Sequence, residues 1–505
     1  MGTYLIGVDI GTQGTKAALF DAQDMSVVCT GFRESVLIQP KTGEVWQEAD
    51  DIFGSVLGAV REVMDQSGVD SCEVAAIGID SQMAGIMGVD EQGEAVTYYD
   101  SWLDSRCEEY VELMRKTAGR EITSITGGPV TYTHGPKILW WKGEKPDIYR
   151  RIFKFVLPHG YVTGKLAGLT GDEIYFDYTG MQYSGFGDNK HLKWSEELLN
   201  EFQVSGDKMA RIAAPFEIVG KLKKEYAGDM HLREGIPLVA GSGDTSASVF
   251  GAGVVERGQL MDCAGTASVL CSVVDEYVPD VEYKTMTMMR SPVDGLWMPL
   301  AYVNGGGQCL SWFVSEFGGH LENPYEELSN KACLLPPGSE DLLFIPHFAG
   351  RVLPNNPYVK GSFLGLDWKH TKNHMYRAIM EGIAYEYHYY LEVMKKLFPS
   401  NRFDSIRIMG GGARSELFNK IKADVLGLKT SVLDMEDTAL VGSAVIAGVG
   451  AGVFKDYREP LEQAGRVKER IAPDAAAHAA YGRYADLYLE AIEAQTPVYR
   501  KWKSK

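Results

Sequence analysis

Apolar and β-branched residues run through 4 to 10 (YLIGVDI), break at a glycine-rich turn and resume through 16 to 20 (KAALF), the pattern of two strands joined as a β-hairpin. Short apolar runs at 74 to 79, 236 to 240, 260 to 264, 342 to 346 and 405 to 409 predict further strands. Between several of these the period lengthens. Ile379, Ile383, Tyr387, Leu391 and Met394 recur every three or four residues within a run from about 373 to 397, which predicts an amphipathic helix. A second helix is predicted over 415 to 426, with Ser415 as N-cap and Gly427 as the stop. Strands alternating with helices indicate α/β domains built on mixed sheets. One pattern occurs twice, half a chain apart: a strand, an acidic residue and Gly-Thr, as Val8-Asp9-Ile10-Gly11-Thr12 and as Asp262-Cys263-Ala264-Gly265-Thr266. Two domains of related construction would each offer such a turn to one ligand.

A chain of 505 residues exceeds the roughly 250–300 residues at which a single core stops growing, so two large domains are expected. The net charge of −18 speaks against nucleic acid or an anionic membrane as partner, because either would be repelled at long range. The first residues lack the basic flank and apolar stretch of a signal peptide, and no apolar run reaches the roughly 18 residues that span a bilayer, so a cytoplasmic protein is expected. Seven cysteines without a CxxC pair read as reduced, mostly buried thiols.

Candidate chemistry changes this picture at three places. The turn Gly11-Thr12-Gln13-Gly14-Thr15-Lys16 combines closely spaced backbone N–H groups, two hydroxyls and an ammonium, a set suited to a polyphosphate; the plain alternative is a hairpin turn. It is not a Walker loop, and the nearest match to one, Gly160 to Lys165, is a residue short. Gly410-Gly411-Gly412 lies between a strand and a helix, where a nucleotide can approach the backbone; the spacing does not meet a dinucleotide fingerprint. Asp244 follows Gly241-Ser242-Gly243 at the start of a helical stretch, either as an N-cap or as a base for a hydroxyl proton. Asp9, inside an apolar strand, either bonds the neighbouring turn or reaches a phosphate-bound Mg²⁺ through water.

In this order these segments resemble the FGGY family of carbohydrate kinases, of the actin, Hsp70 and sugar-kinase group, over nearly the whole chain. Gly361-Ser362-Phe363-Leu364-Gly365-Leu366, followed by His374 to Gly382, is similar to a family signature. The resemblance implies two ribonuclease-H-like domains around a nucleotide cleft: 1–245 for sugar and phosphates, 246–505 for ATP. It implies ATP and Mg²⁺ as cofactors and Asp244 as catalytic base, with Asp9 (through water) and Asp244 towards the metal. Gly11, Thr12, Gln13, Gly14, Thr15, Lys16, Gly265, Thr266, Gly307, Gly411, Gly412 and Glu416 would hold ATP, and Gln82, Met83, Asp104, Asp244 and Thr245 the sugar.

Within the family the chain looks most like the xylulokinase branch, on Gln82-Met83, Trp102 with Asp104 and Arg106, Pro136 to Trp141, and Lys193-Trp194-Ser195. Xylulokinases usually carry Gln-Met-His-Gly where this chain has Gln82-Met83-Ala84-Gly85, which leaves the acceptor open. A ketopentose such as xylulose is the expected acceptor; ribulose, fuculose, erythritol, gluconate and glycerol are alternatives, and a non-metabolic actin-like ATPase is a distant one. The other readings of Gln82 and Asp104 are loop polarity and an ion pair with Arg106; His134 reads as a surface histidine. A homodimer is left open.

Overall fold

The computed structural model describes residues 2–265, 267–319, 321–435 and 437–503. The chain divides into two compact units, neither made of one continuous stretch: 1–255 with 287–297 and 437–465, and 256–286 with 298–436 and 466–505.

The first unit is built on a seven-stranded sheet in which β1 (Tyr4–Ile10), β2 (Gly14–Asp21), β3 (Val27–Glu34), β4 (Val74–Ser81), β5 (Ile218–Lys221) and β6 (Pro237–Val239) lie in the order β5-β6-β4-β1-β2-β3, and the short strand Ser242–Gly243 pairs with β4. The predicted hairpin is present: β1 and β2 are antiparallel, from Tyr4 opposite Asp21 to Ile10 opposite Thr15. β4 runs parallel to β1, with Gly7 beside Gly78 and Asp9 beside Asp80. Alternation sends Ile6, Val8 and Ile10 into a core with Ile52, Val56 and Val60 of the helix Ala49–Ser67, while Gly7 and Asp9 face the other way.

That other face is covered by the helix Thr438–Gly450, which joins this sheet from far beyond β4 in the sequence. Small residues let it approach. A Cβ on Gly7 would lie 2.2 Å from Leu440 O, and one on Gly78 2.1 Å from Ser443 O. Because the obstacle is backbone, Gly78→Ala is expected to lower stability by about 1–3 kcal/mol. Gly54→Ala, in the middle of Ala49–Ser67 with nothing within 4 Å, should raise it by about 0.5–1 kcal/mol. Thermal unfolding of the two variants checks both signs.

The second unit repeats the plan. Strands β7 (Gln259–Ala264), β8 (Ser268–Ser272), β9 (Trp297–Val303), β10 (Ser405–Met409), β11 (Lys429–Leu433) and β12 (Val467–Ile471) lie in the order β12-β11-β10-β7-β8-β9. Each pair has the direction of its counterpart: β7 with β8 antiparallel, β7 with β10 parallel, β10 with β11 parallel and β11 with β12 antiparallel. The repeated Asp and Gly-Thr pattern thus marks a repeated topology. The predicted helices are Lys372–Leu397 and Glu416–Leu426; in the latter Ser415 Oγ accepts the Phe418 N–H and Gly427 closes the end in the left-handed region. They pack with Phe313, Phe344, Tyr481 and Tyr488 in a separate core.

Two expectations are corrected. Cys72 and Cys333 are exposed, so the thiols, none of them in a disulfide among the described residues, are less uniformly buried than expected. Gly160 to Lys165, rejected above as a Walker loop, lies inside the helix Pro158–Ala167. His134 is a core residue, 1% exposed between the rings of Phe176 and Tyr183, with both ring nitrogens unpartnered among the described residues. Burial pushes its pKa down to about 3, so the ring is neutral. Among the described residues no helix is long and apolar enough to cross a membrane.

Candidate active site

In the first unit the turn between β1 and β2 is closed by Gly11 N–H donating to Gly14 O at 3.0 Å. Its side chains divide. Thr12 Oγ1 donates to Gln82 Oε1 at 3.2 Å and accepts from Trp102 Nε1 at 3.0 Å. Lys16 Nζ is paired with Asp437 Oδ1 at 2.7 Å, with both side chains well exposed, a pairing of little energetic weight that leaves the ammonium free to exchange partners. Gln13 is exposed. Thr15, expected to offer a hydroxyl to phosphate, is instead buried, its Oγ1 2.7 Å from Ser55 Oγ. As the second residue of β2 it points into the core, which the turn reading overlooked.

Gln82 and Asp104 are also more engaged than expected. Gln82 Nε2 donates to Gln47 Oε1 at 2.6 Å and to Gly11 O at 3.4 Å, so this amide ties the turn to the end of β4. For Asp104 the ion-pair alternative is the observed state: Oδ2 accepts from Arg106 Nε at 2.8 Å and from Val45 N at 2.7 Å, and Oδ1 from Arg106 N at 3.0 Å. A carboxylate only 2% exposed and held this way shapes the segment carrying Trp102 and Arg106 rather than reaching for a sugar.

Asp244 opens the helix Asp244–Gly251 as its first residue; Gly243 takes the N-cap position that the capping reading gave to Asp244. Oδ1 of Asp244 accepts from Thr245 N at 2.5 Å and Thr245 Oγ1 at 3.1 Å. The thioether of Met83 lies against Gly243, within 2.5 Å of where a Cβ would stand. Burial, and then the negative charge of Asp9, push Asp244 up to about 7. Asp9 is itself raised by burial, while a hydrogen bond with Asp80 opposes the shift. Asp80, without exposed surface, is raised well above the carboxylate range by burial and by Asp9, and Ser443 Oγ donates to its Oδ2 at 2.6 Å.

Asp80 was missed by sequence reading, although a signal existed: Ile6-Gly7-Val8-Asp9 is echoed by Ile77-Gly78-Ile79-Asp80, and parallel pairing sets the two motifs side by side. Asp9 and Asp244, both half-buried, are carboxylates of the kind Mg²⁺ takes, one or two together with phosphate and water, although among the described residues no group of three or more metal-ligating side chains is gathered.

These shifts fix a pH dependence. Asp244 ionises at 3.8 when unfolded and near 7 when folded, so between those values the folded state holds more protons and its stability falls as pH rises. The Asp244→Asn protein should accordingly gain thermal stability over wild type on going from pH 5 to pH 8 without nucleotide, measured by paired melting curves.

In the second unit β10 ends at Gly410, whose φ of 84° turns the chain into the short 3₁₀ segment Gly411–Arg414. Side chains on Gly410 and Gly412 would meet Ala264 at 3.1 and 2.7 Å, which sets this run against the end of β7, beside Gly265. Gly411 has open space where a Cβ would be. Gly265 N donates to Ala267 O at 3.0 Å in a tight turn; Thr266 lies outside the described residues. Glu416 is exposed in the first turn of Glu416–Leu426, and Gly307 lies in the first turn of the helix Gly306–Phe317. Asp262 does not repeat the place of Asp9: it lies three residues before Gly265, where Asp9 lies two before Gly11, and so falls on the opposite face of its strand. It has no exposed surface, pairs with Lys422 Nζ and accepts from Tyr387 Oη at 2.7 Å, so its charge is neutralised inside the unit.

Residues 4–251 match the family model for the FGGY family of carbohydrate kinases, N-terminal domain, and 260–451 match the one for the C-terminal domain. The chain is 27% identical over 487 residues to the xylulose kinase of Bacillus subtilis, covering 96% of each protein. It is 28% identical over 474 residues to the gluconokinase of the same organism, covering 90% of this chain and 89% of the relative. Among solved structures, xylulose kinase from Rhodospirillum rubrum superposes with a TM-score of 0.91 over 98% of this chain and 100% of that one; at 23% identity this likeness speaks for the fold alone.

Proposed function

Since the chain belongs to the FGGY family of carbohydrate kinases, enzymes that take phosphate from ATP, we propose that it phosphorylates a primary hydroxyl of a ketopentose such as xylulose, with Asp244 as the base. The observation that carries this reading is the Asp244 carboxylate. It is half-buried, bonded to its neighbour Thr245 on one oxygen only, and raised to about 7, where a base both accepts a proton and stays substantially ionised at neutral pH.

Each residue then has a task. Asp244 takes the proton of the attacking hydroxyl, and Met83 and Thr245 flank it. The backbone of Gly11 to Gly14 cradles phosphate oxygens, and Thr12, held between Gln82 and Trp102, fixes that turn. Lys16 adds positive charge. In the C-terminal part Gly411 and Gly412, with Gly265, Gly307 and Glu416, bind the nucleotide; Gly411 has the open space a ribose or base requires. Mg²⁺, held through Asp9 and Asp244, would offset the charge of the phosphates during transfer.

A second acceptor class, sugar acids and polyols, is favoured by Ala84. It stands where xylulokinases usually carry histidine, and with φ 66° its short side chain leaves any neighbouring hydroxyl without an imidazole partner. The gluconokinase relative, as near in sequence as the xylulose kinase, agrees with that alternative. ADP release measured over D-xylulose, D-ribulose, D-gluconate, erythritol and glycerol separates the classes. Xylulose giving the highest kcat/KM bears out the first reading; gluconate or a polyol giving it selects the second, and no rise above the acceptor-free rate sinks both.

A further inference from the structure

We infer that Ser81, His159, Asp177 and Thr179 are positioning residues, a buried hydrogen-bonded chain that fixes the Gly243–Asp244 turn and hence the base. The inference rests on the reading of Asp244 given above.

The four side chains come from three elements of the first unit, the end of β4, the helix Pro158–Ala167 and the segment 177–179, and none has exposed surface. Ser81 Oγ lies 2.7 Å from His159 Nδ1, and His159 Nε2 lies 2.9 Å from Asp177 Oδ2. Asp177 Oδ1 accepts from Thr179 N at 2.8 Å and from Thr179 Oγ1. Thr179 Oγ1 in turn accepts the N–H of Gly243 at 2.9 Å.

The protons have a consistent direction. Gly243 N–H can only donate, so the Thr179 hydroxyl hydrogen goes to Asp177; the carboxylate can only accept, so His159 presents Nε2–H to it, and Nδ1 on the other side of the ring shares a hydrogen bond with Ser81 Oγ. The chain also closes on itself, because Ser81 is the strand-register partner of Gly243. Serine, histidine and aspartate follow one another here as in nucleophilic triads, but Ser81 Oγ is sealed in the core and no substrate can reach it.

The turn needs such support. Its N-cap is a glycine, which has no side chain to hold it and wide backbone freedom. On the preceding side Tyr175 Oη donates to Ala240 O at 2.8 Å, and Gly241, at φ 76°, crosses so near β4 that a Cβ would lie 1.9 Å from Ile79 O. Those contacts fix the approach to the turn, whereas the Thr179 hydroxyl is bonded to the residue directly before the base.

Thr179→Val keeps the shape of the side chain and removes the hydroxyl. With D-xylulose or D-gluconate as acceptor, whichever wild type turns over, kcat should fall about 10- to 100-fold, the scale of a misplacement near 1 Å, while KM for ATP stays within about twofold. Thr179→Ser should restore kcat to within about threefold. A merely structural role would lower the melting temperature and leave kcat of the folded protein unchanged; that result, or failure of serine to rescue, overturns the inference. If the valine protein does not fold, Asp177→Asn, which reverses the bond to His159, must show the same loss of kcat at unchanged KM for ATP, and wild-type kcat there overturns it. Asp244→Asn in the same assay separates the two ideas: an active asparagine variant refutes the base itself, whereas an inactive one beside a fully active Thr179→Val refutes only the positioning chain.

Discussion

Asp244→Asn is expected to lower kcat about 10³-fold, within the range a positioned general base contributes and equivalent to about 4 kcal/mol of barrier. Asparagine nearly matches the shape of aspartate, and its Oδ1 can still accept from Thr245 N and Thr245 Oγ1, so the first turn of the helix should persist. ATP binding is expected to change little, because the turns assigned to nucleotide are built by other residues. The residual rate should also lose its acid limb. Wild type should slow as pH falls below about 7 and Asp244 takes up a proton, whereas an amide has nothing to titrate there. Stopped assays from pH 5.5 to 8.5 with titration calorimetry of ATP test both parts. Near-normal turnover, or a pH profile unchanged from wild type, would remove Asp244 from the role of base.

The parts of this site legible in the sequence are those that local rules govern. A hairpin announces itself through two apolar runs and a glycine turn, and Asp9 stands out as a charge inside one of them. Ser415 and Gly427 bound their helix by capping chemistry that needs only near neighbours. The repeated strand, acid and Gly-Thr pattern pointed correctly to two units of one topology. What escaped depends on partners far along the chain. For Asp104 the pair with Arg106, two residues on, was among the readings, but the Val45 N–H that binds the same oxygen was not. His134 reads as a loop residue unless Phe176 and Tyr183 are known to close over it. The helix Thr438–Gly450 is apolar on all sides, which says that it is buried but not beneath what. That Gly7 and Gly78 make room for it emerges only when β1 and β4 are paired. The hydroxyl of Thr15 was lost for a smaller reason, since the strand begins at Gly14, two residues before the run at 16 to 20.

Lys422→Met should destabilise the second unit by about 3–5 kcal/mol, the cost of stranding one member of a buried ion pair. Asp262 has no exposed surface, and its other oxygen is occupied by Tyr387 Oη, so neither water nor a second cation can replace the lost ammonium without opening the core. Methionine fills similar volume, which makes the effect electrostatic rather than a cavity. The double variant Lys422→Met with Asp262→Asn removes both charges and keeps an acceptor for Tyr387; it should recover at least half of the loss. Denaturant unfolding of the two single variants and the double yields the coupling directly. Additive losses would mean that the pair is not coupled, whereas recovery would show that each charge is held in the core by the other.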